Sequence, residues 1–213
     1  MSWLNRLLPN RPGAKSLDPA VRETLARWAS LPPADLSRTH SETRYVVLNT
    51  HAAGLDIDAD RLLSVAGIAI DSCRIGLTES YHAELGDAPE RILADLLAFA
   101  GKGPVVVYNA AFNRVHLERA FEQHLGVEPD WVWLDLYWLL PALFGERISE
   151  PTKLARWMQV LDADTFQRFH ALGDAYALAR LMLAAESRAL KRGLASPRSL
   201  ADLERARRQI ERR

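Results

Sequence analysis

Three short stretches place polar side chains where apolar elements end, the positions from which a fold presents chemistry. The first is YVVLNTHAAGL, residues 45–55, a buried-strand pattern that carries Asn49, Thr50 and His51 into a glycine turn. The second is VVVYNAAFNRVHLERAF, residues 105–121, a short apolar run followed by a helix with Asn109, Phe112 and Asn113 at its start. The third is FHALGDA, residues 169–175, which brings His170 and Asp174 to the opening of a long helical stretch. Imidazole and carboxylate can relay protons, or bind a metal ion together with amide oxygens. Rival chemistries have no visible support: the chain holds no phosphate loop, dinucleotide fingerprint or serine nucleophile elbow. His82, His116 and His124 fall on separate elements without ligand spacing, and with His40 they read as surface or packing residues.

The elements that must position these residues follow from pattern and breakers. Residues 1–43 read as an N-terminal helical extension, with a helix over 18–30 between Pro9, Pro12, Gly13 and the breaker Pro32-Pro33. Strands are expected over 44–49, 61–70 and 75–85 as an antiparallel meander, then a helix over 89–100 and the strand Val105-Val106-Val107. A helix over 110–125, a strand over 131–135 and helices over 136–144, 151–160 and 174–192 complete the core domain, 44–192. Three early strands followed by alternating strand and helix predict an α/β domain with a mixed sheet of about five strands flanked by helices. Residues 193–213 hold a basic C-terminal helix, with Leu200, Leu203 and Ile210 toward the domain and Arg205, Arg207, Arg208, Arg212 and Arg213 on its other face. Trp131, Trp133, Tyr137, Trp138 and Trp157 read as core.

The three stretches resemble, in order and on the expected elements, the motifs of the DEDDh 3′→5′ exonucleases, the family that includes the epsilon proofreading subunit of bacterial DNA polymerase III and RNase T. The first family motif, DTETTGL, places its two acids at Asn49 and His51, while Thr50, Gly54 and Leu55 match. The second places an aspartate at Asn113, beside matching Asn109 and Phe112. The third, HxAxxDA, keeps its acid at Asp174 and puts Phe169 at the general-base position, with His170 one residue late. The resemblance covers residues 44–192 and implies a ribonuclease H-like fold. It also implies nucleotide-binding positions at Ala53, Gly54, Leu55, Asn109 and Phe112, and a structural aspartate at Asp135.

Family members use two divalent cations about 4 Å apart, held by carboxylates. With Asp174 as the one retained acid, two Mg²⁺ ions would leave about three positive charges uncompensated, so no magnesium cofactor is expected. Asn49, His51 and Asp174 form a set able to hold Zn²⁺, Mn²⁺ or Ni²⁺ weakly. The expected function is a pseudo-exonuclease that binds a nucleic-acid 3′ end or acts as a protein-interaction module; the alternative is a weak or metal-altered exonuclease on single-stranded DNA or RNA. Lys plus Arg equals Asp plus Glu at 27 each, so no global field draws the chain to nucleic acid, and contacts must come from local patches. Residues 1–43 and the basic tail are the candidate protein contacts. The single cysteine, Cys73, excludes an intramolecular disulfide, and with no apolar run of about 20 residues a soluble, cytoplasmic protein is expected.

Overall fold

A computed structural model of the chain describes residues 17–54, 56, 60–163 and 171–211. Five strands form one mixed sheet in the order β3-β2-β1-β4-β5. β1 (Tyr45–Ala52), β2 (Leu62–Asp71) and β3 (Arg74–Glu84) are antiparallel neighbours, and β4 (Val105–Val107) and β5 (Trp133–Asp135) run parallel to β1. This is the expected α/β architecture.

Strand alternation explains the layering. Tyr45 and Val47 point to one face of the sheet and Val46 and Leu48 to the other, and all four are fully buried. On the first face they join a cluster with residues of α4 (Leu136–Leu143), α5 (Leu154–Val160), α6 (Ala171–Lys191) and α7 (Pro197–Glu211). On the second they join α1 (Pro19–Ser30), α2 (Pro89–Ala100) and α3 (Ala110–Leu125). Val21, Leu25 and Trp28 of α1 are buried there, so residues 19–30 pack as part of this core. Trp28 and Trp131 both donate their indole N–H to the carbonyl of Gly101, tying the ends of α2 and β5 together.

Several boundaries move for identifiable reasons. β1 continues past Asn49 to Ala52 because His51 still pairs with Ser64 of β2. The last strand begins at Trp133, while Trp131 is buried as a side chain, and α5 starts at Leu154 after an extended Lys153. α6 already includes Ala171. Leu200 of α7 is fully buried, but Ile210 is 64% exposed and does not face the domain. The three described arginines of the basic face on α7 all have partners. Arg205 pairs with Asp202, Arg207 reaches Glu211 and the Ser149 carbonyl, and Arg208 binds Glu204 and Asp135. Arg212 and Arg213 lie outside the described residues. Among the described residues no helix is long and apolar enough to cross a membrane.

Candidate functional site

The C-terminal ends of β1 and β4 meet the start of α3 and the first turn of α6, and the residues singled out by sequence converge there. The Asn49 amide nitrogen lies 3.5 Å from His51 Nε2 and 3.5 Å from the Ala171 carbonyl oxygen. His51 Nε2 stands 3.7 Å from Asp174 Oδ2, with both side chains partly open to solvent. Asn49, His51 and Asp174 therefore form one cluster across β1 and α6. Phe169, His170 and Leu55 lie outside the described residues, so the proposed general-base positions and the last residue of the turn carry no structural statement.

Asn113 belongs to the same end of the sheet but faces inward. Its side-chain oxygen accepts from the Thr50 backbone N–H at 3.1 Å and the Thr50 hydroxyl at 2.8 Å. Its amide nitrogen donates to the Tyr108 carbonyl at 2.7 Å and the Asn109 carbonyl at 3.3 Å. The residue is 6% exposed, and the amide's donor and acceptor sides are both in use. It works as a clasp between β1 and α3. A carboxylate could accept the two Thr50 bonds but would set its second oxygen against two carbonyl oxygens.

Asn109 enters α3 in the left-handed conformation, φ 64°, which asparagine tolerates better than most residues. Its backbone N–H and that of Ala110 donate to the two oxygens of Asp135, at 2.8 and 2.9 Å. Asp135 also caps α4 by accepting from Tyr137 N–H and receives Arg208 at 3.3 Å. Its own N–H donates to Glu204, which holds Arg208 in turn. Burial pushes the carboxyls of Asp135 and Glu204 above their usual range, against the hydrogen bonds and the guanidinium that favour charge. Sequence reasoning identified Asp135 but missed its partner Glu204. A glutamate followed four residues later by an arginine in a charged helix gave no sign that it was buried.

A cleft of about 630 Å³ opens from His51 along α3 and is lined by Arg61, Ser64, Glu84, Asp87, His116 and Arg119 among others. His116 is 2% exposed and its Nε2 has no hydrogen-bond partner. Burial holds this imidazole below its usual pKa, and it packs edge-on to Phe112 with ring centroids 4.5 Å apart. A side chain on Gly54 would collide with the carboxylate of Asp60, which also lines this cleft.

The metal pair implied by the resemblance does not fit these residues. Among the described residues no three of His, Cys, Asp and Glu converge to hold a metal ion. One carboxylate, one imidazole and one amide surround the cluster, and the amide of Asn113 is spent on backbone and Thr50. Such a donor set cannot offset two hard divalent cations.

No family model and no curated protein matches the chain. Solved structures do share its fold. Escherichia coli Exonuclease I in complex with a dA16 oligonucleotide superposes with a TM-score of 0.57 at 15% identity, over 75% of this chain and 42% of that one. Exonuclease X in complex with 5′ overhanging duplex DNA gives 0.54 at 14% identity, over 75% of this chain and 99% of that one. The moderately thermophilic Exonuclease I from Methylocaldum szegediense gives 0.52 at 17% identity, over 70% and 41%. The chain thus has an exonuclease-like, ribonuclease H-like fold. It spans less than half the length of the Exonuclease I chains.

Proposed function

We propose that this chain is a non-catalytic exonuclease-like module that holds the 3′ end of a single-stranded nucleic acid in the cleft beside His51. The observation that carries this reading is the state of Asn113. Where the resemblance expects a metal-binding aspartate, an amide makes four internal hydrogen bonds, two of which only a donor can make. The substitution is built into the packing of β1 on α3. Asn49 and His51 remove two further acids next to the remaining Asp174.

Losing three carboxylates from this end of the sheet removes the scaffold for metals and also removes repulsion toward phosphate. Exonuclease I, whose fold is shared, is seen in complex with a dA16 oligonucleotide. The cleft along α3 is of ligand size, given that such sites span about 300–1,000 Å³. It mixes Arg61 and Arg119 with Asp60, Glu84 and Asp87, a lining better suited to the donor and acceptor edge of a base than to a phosphate.

The test is fluorescence anisotropy with labelled single-stranded DNA and RNA carrying a free 3′ hydroxyl, at several salt concentrations. Affinity is expected to fall with salt and to drop on His51→Asp, which restores an acid beside Asp174. Undetectable binding at low salt would sink the reading.

A further inference from the structure

On the α1 and α2 side of the sheet, a second groove of about 640 Å³ runs between these two helices. Its apolar lining comes from Leu17, Val21 and Ala94, and Val21 and Ala94 belong to the core beneath it. Its charged lining is unbalanced: Asp18, Asp87, Glu90 and Asp95 face one cation, Arg91. Four carboxylates around an apolar floor, in a chain whose total charge is zero, select a basic amphipathic occupant.

The chain itself carries such a segment next to the groove. Residues 1–16 contain Arg6, Arg11 and Lys15 and no acid, with Trp3, Leu4, Leu7 and Leu8 at helical spacing. The segment joins the described chain at Leu17, which lines the groove. Pro9, Pro12 and Gly13 interrupt it between the apolar run and that junction, at positions suited to a reversal of direction. Length is sufficient. The residues between Leu8 and Leu17 can reach about 30 Å when extended, and the 12 residues of α1 span about 18 Å. A helix this short is marginal in water on its own and gains its stability from a surface to bury against.

We propose that residues 3–8 dock into the groove between α1 and α2, laying Trp3, Leu4, Leu7 and Leu8 on its apolar lining and setting Arg6, Arg11 and Lys15 against the carboxylates. Asp87 lines both this groove and the cleft beside His51. Docking therefore places a cation near a residue shared with the nucleic-acid cleft and links the N-terminus to it.

The experiment is paramagnetic relaxation on the full chain. A nitroxide is attached to Asn5→Cys in a Cys73→Ser background, and amide signals of residues 20–24, 88 and 90–95 are compared before and after reduction of the label. Self-docking predicts that these signals lose about half their intensity or more, and that Leu4→Asp with Leu7→Asp restores them. Undiminished signals would overturn the proposal, as would losses that persist in the double aspartate variant. A mixture of labelled unenriched chain and isotope-enriched unlabelled chain separates the sources. Self-docking predicts no losses in this mixture; losses that appear in it assign the groove to a second copy's segment and overturn self-docking. If anionic phospholipid vesicles are needed before any groove signal changes, a membrane rather than the groove is the primary site, and the proposal fails.

Discussion

Asn113 and Asp135 both bond backbone groups at the start of α3, both are buried, and the side chain of each makes four hydrogen bonds, yet one is an amide and the other an acid. The partners explain the difference. Asp135 meets donors only: the N–H groups of Asn109, Ala110 and Tyr137, and the guanidinium of Arg208. Asn113 meets two donors on Thr50 and two carbonyl acceptors at Tyr108 and Asn109. A buried charge persists where every lone pair is answered, and an amide is required where donors and acceptors alternate.

Reciprocal swaps test that comparison most severely. Asp135→Asn turns an NH₂ group toward N–H donors and unsettles buried Glu204 and half-exposed Arg208, a loss of about 3 kcal/mol once solvent screening of Arg208 is allowed for. Denaturant unfolding should show a large drop in midpoint with little change in slope. A loss below about 1 kcal/mol would remove Asp135 from its central role. Asn113→Asp costs less, about 2 kcal/mol, because the two Thr50 bonds survive while the Tyr108 and Asn109 carbonyls lose their donor. Its penalty should shrink at acid pH, where a protonated carboxyl can donate again. Equal stability of this variant and the wild type at neutral pH would show that the amide is not required.

Much of this contrast was out of reach of the sequence. The order of strands and helices, the glycine turn and the clustering of Asn49, His51 and Asp174 follow from local patterns and from motif resemblance. The inward bonds of Asn113 depend on Thr50, 63 residues away, and the Asp135 node depends on Glu204, 69 residues away. No local spacing encodes either. The partners of the basic face on the last helix were hidden for the same reason, since those of Arg207 and Arg208 include Ser149 and Asp135 on other elements.

Glu186 sharpens the comparison from a third direction. It lies on α6 at 1% exposure, the Cys73 thiol is a weak hydrogen-bonding neighbour where no nitrogen or oxygen donor bonds its carboxylate, and burial raises its pKa from 4.5 to about 7. The Cys73 thiol and Tyr45 are its polar neighbours, and Tyr45 already bonds His40. A raised folded-state pKa means that the stability linked to its proton is complete below about pH 4.5 and is lost as pH rises through about 7. Glu186→Gln should therefore stabilise the protein by about 1–2 kcal/mol at pH 8 and have little effect at pH 4. Identical pH–stability curves would show that Glu186 stays satisfied when ionised. The smallest effect is expected at Asp174. The contact of Asp174 with His51 is long and partly exposed, so the pair should contribute less than about 0.5 kcal/mol, read as the coupling in a double-mutant cycle of Asp174→Asn with His51→Gln. A coupling comparable to the loss on Asp135→Asn would make Asp174 structural.

The central claim is that this cleft binds a 3′ end without hydrolysing it. The most direct measurement incubates 5′-labelled single-stranded DNA and RNA with the full chain in Mg²⁺, Mn²⁺ or Zn²⁺, with Asp174→Ala in parallel, and follows bound and shortened oligonucleotide together. The account predicts salt-sensitive binding and no shortened product that depends on Asp174. Stepwise 3′ shortening by the wild-type chain, abolished in Asp174→Ala, would contradict it.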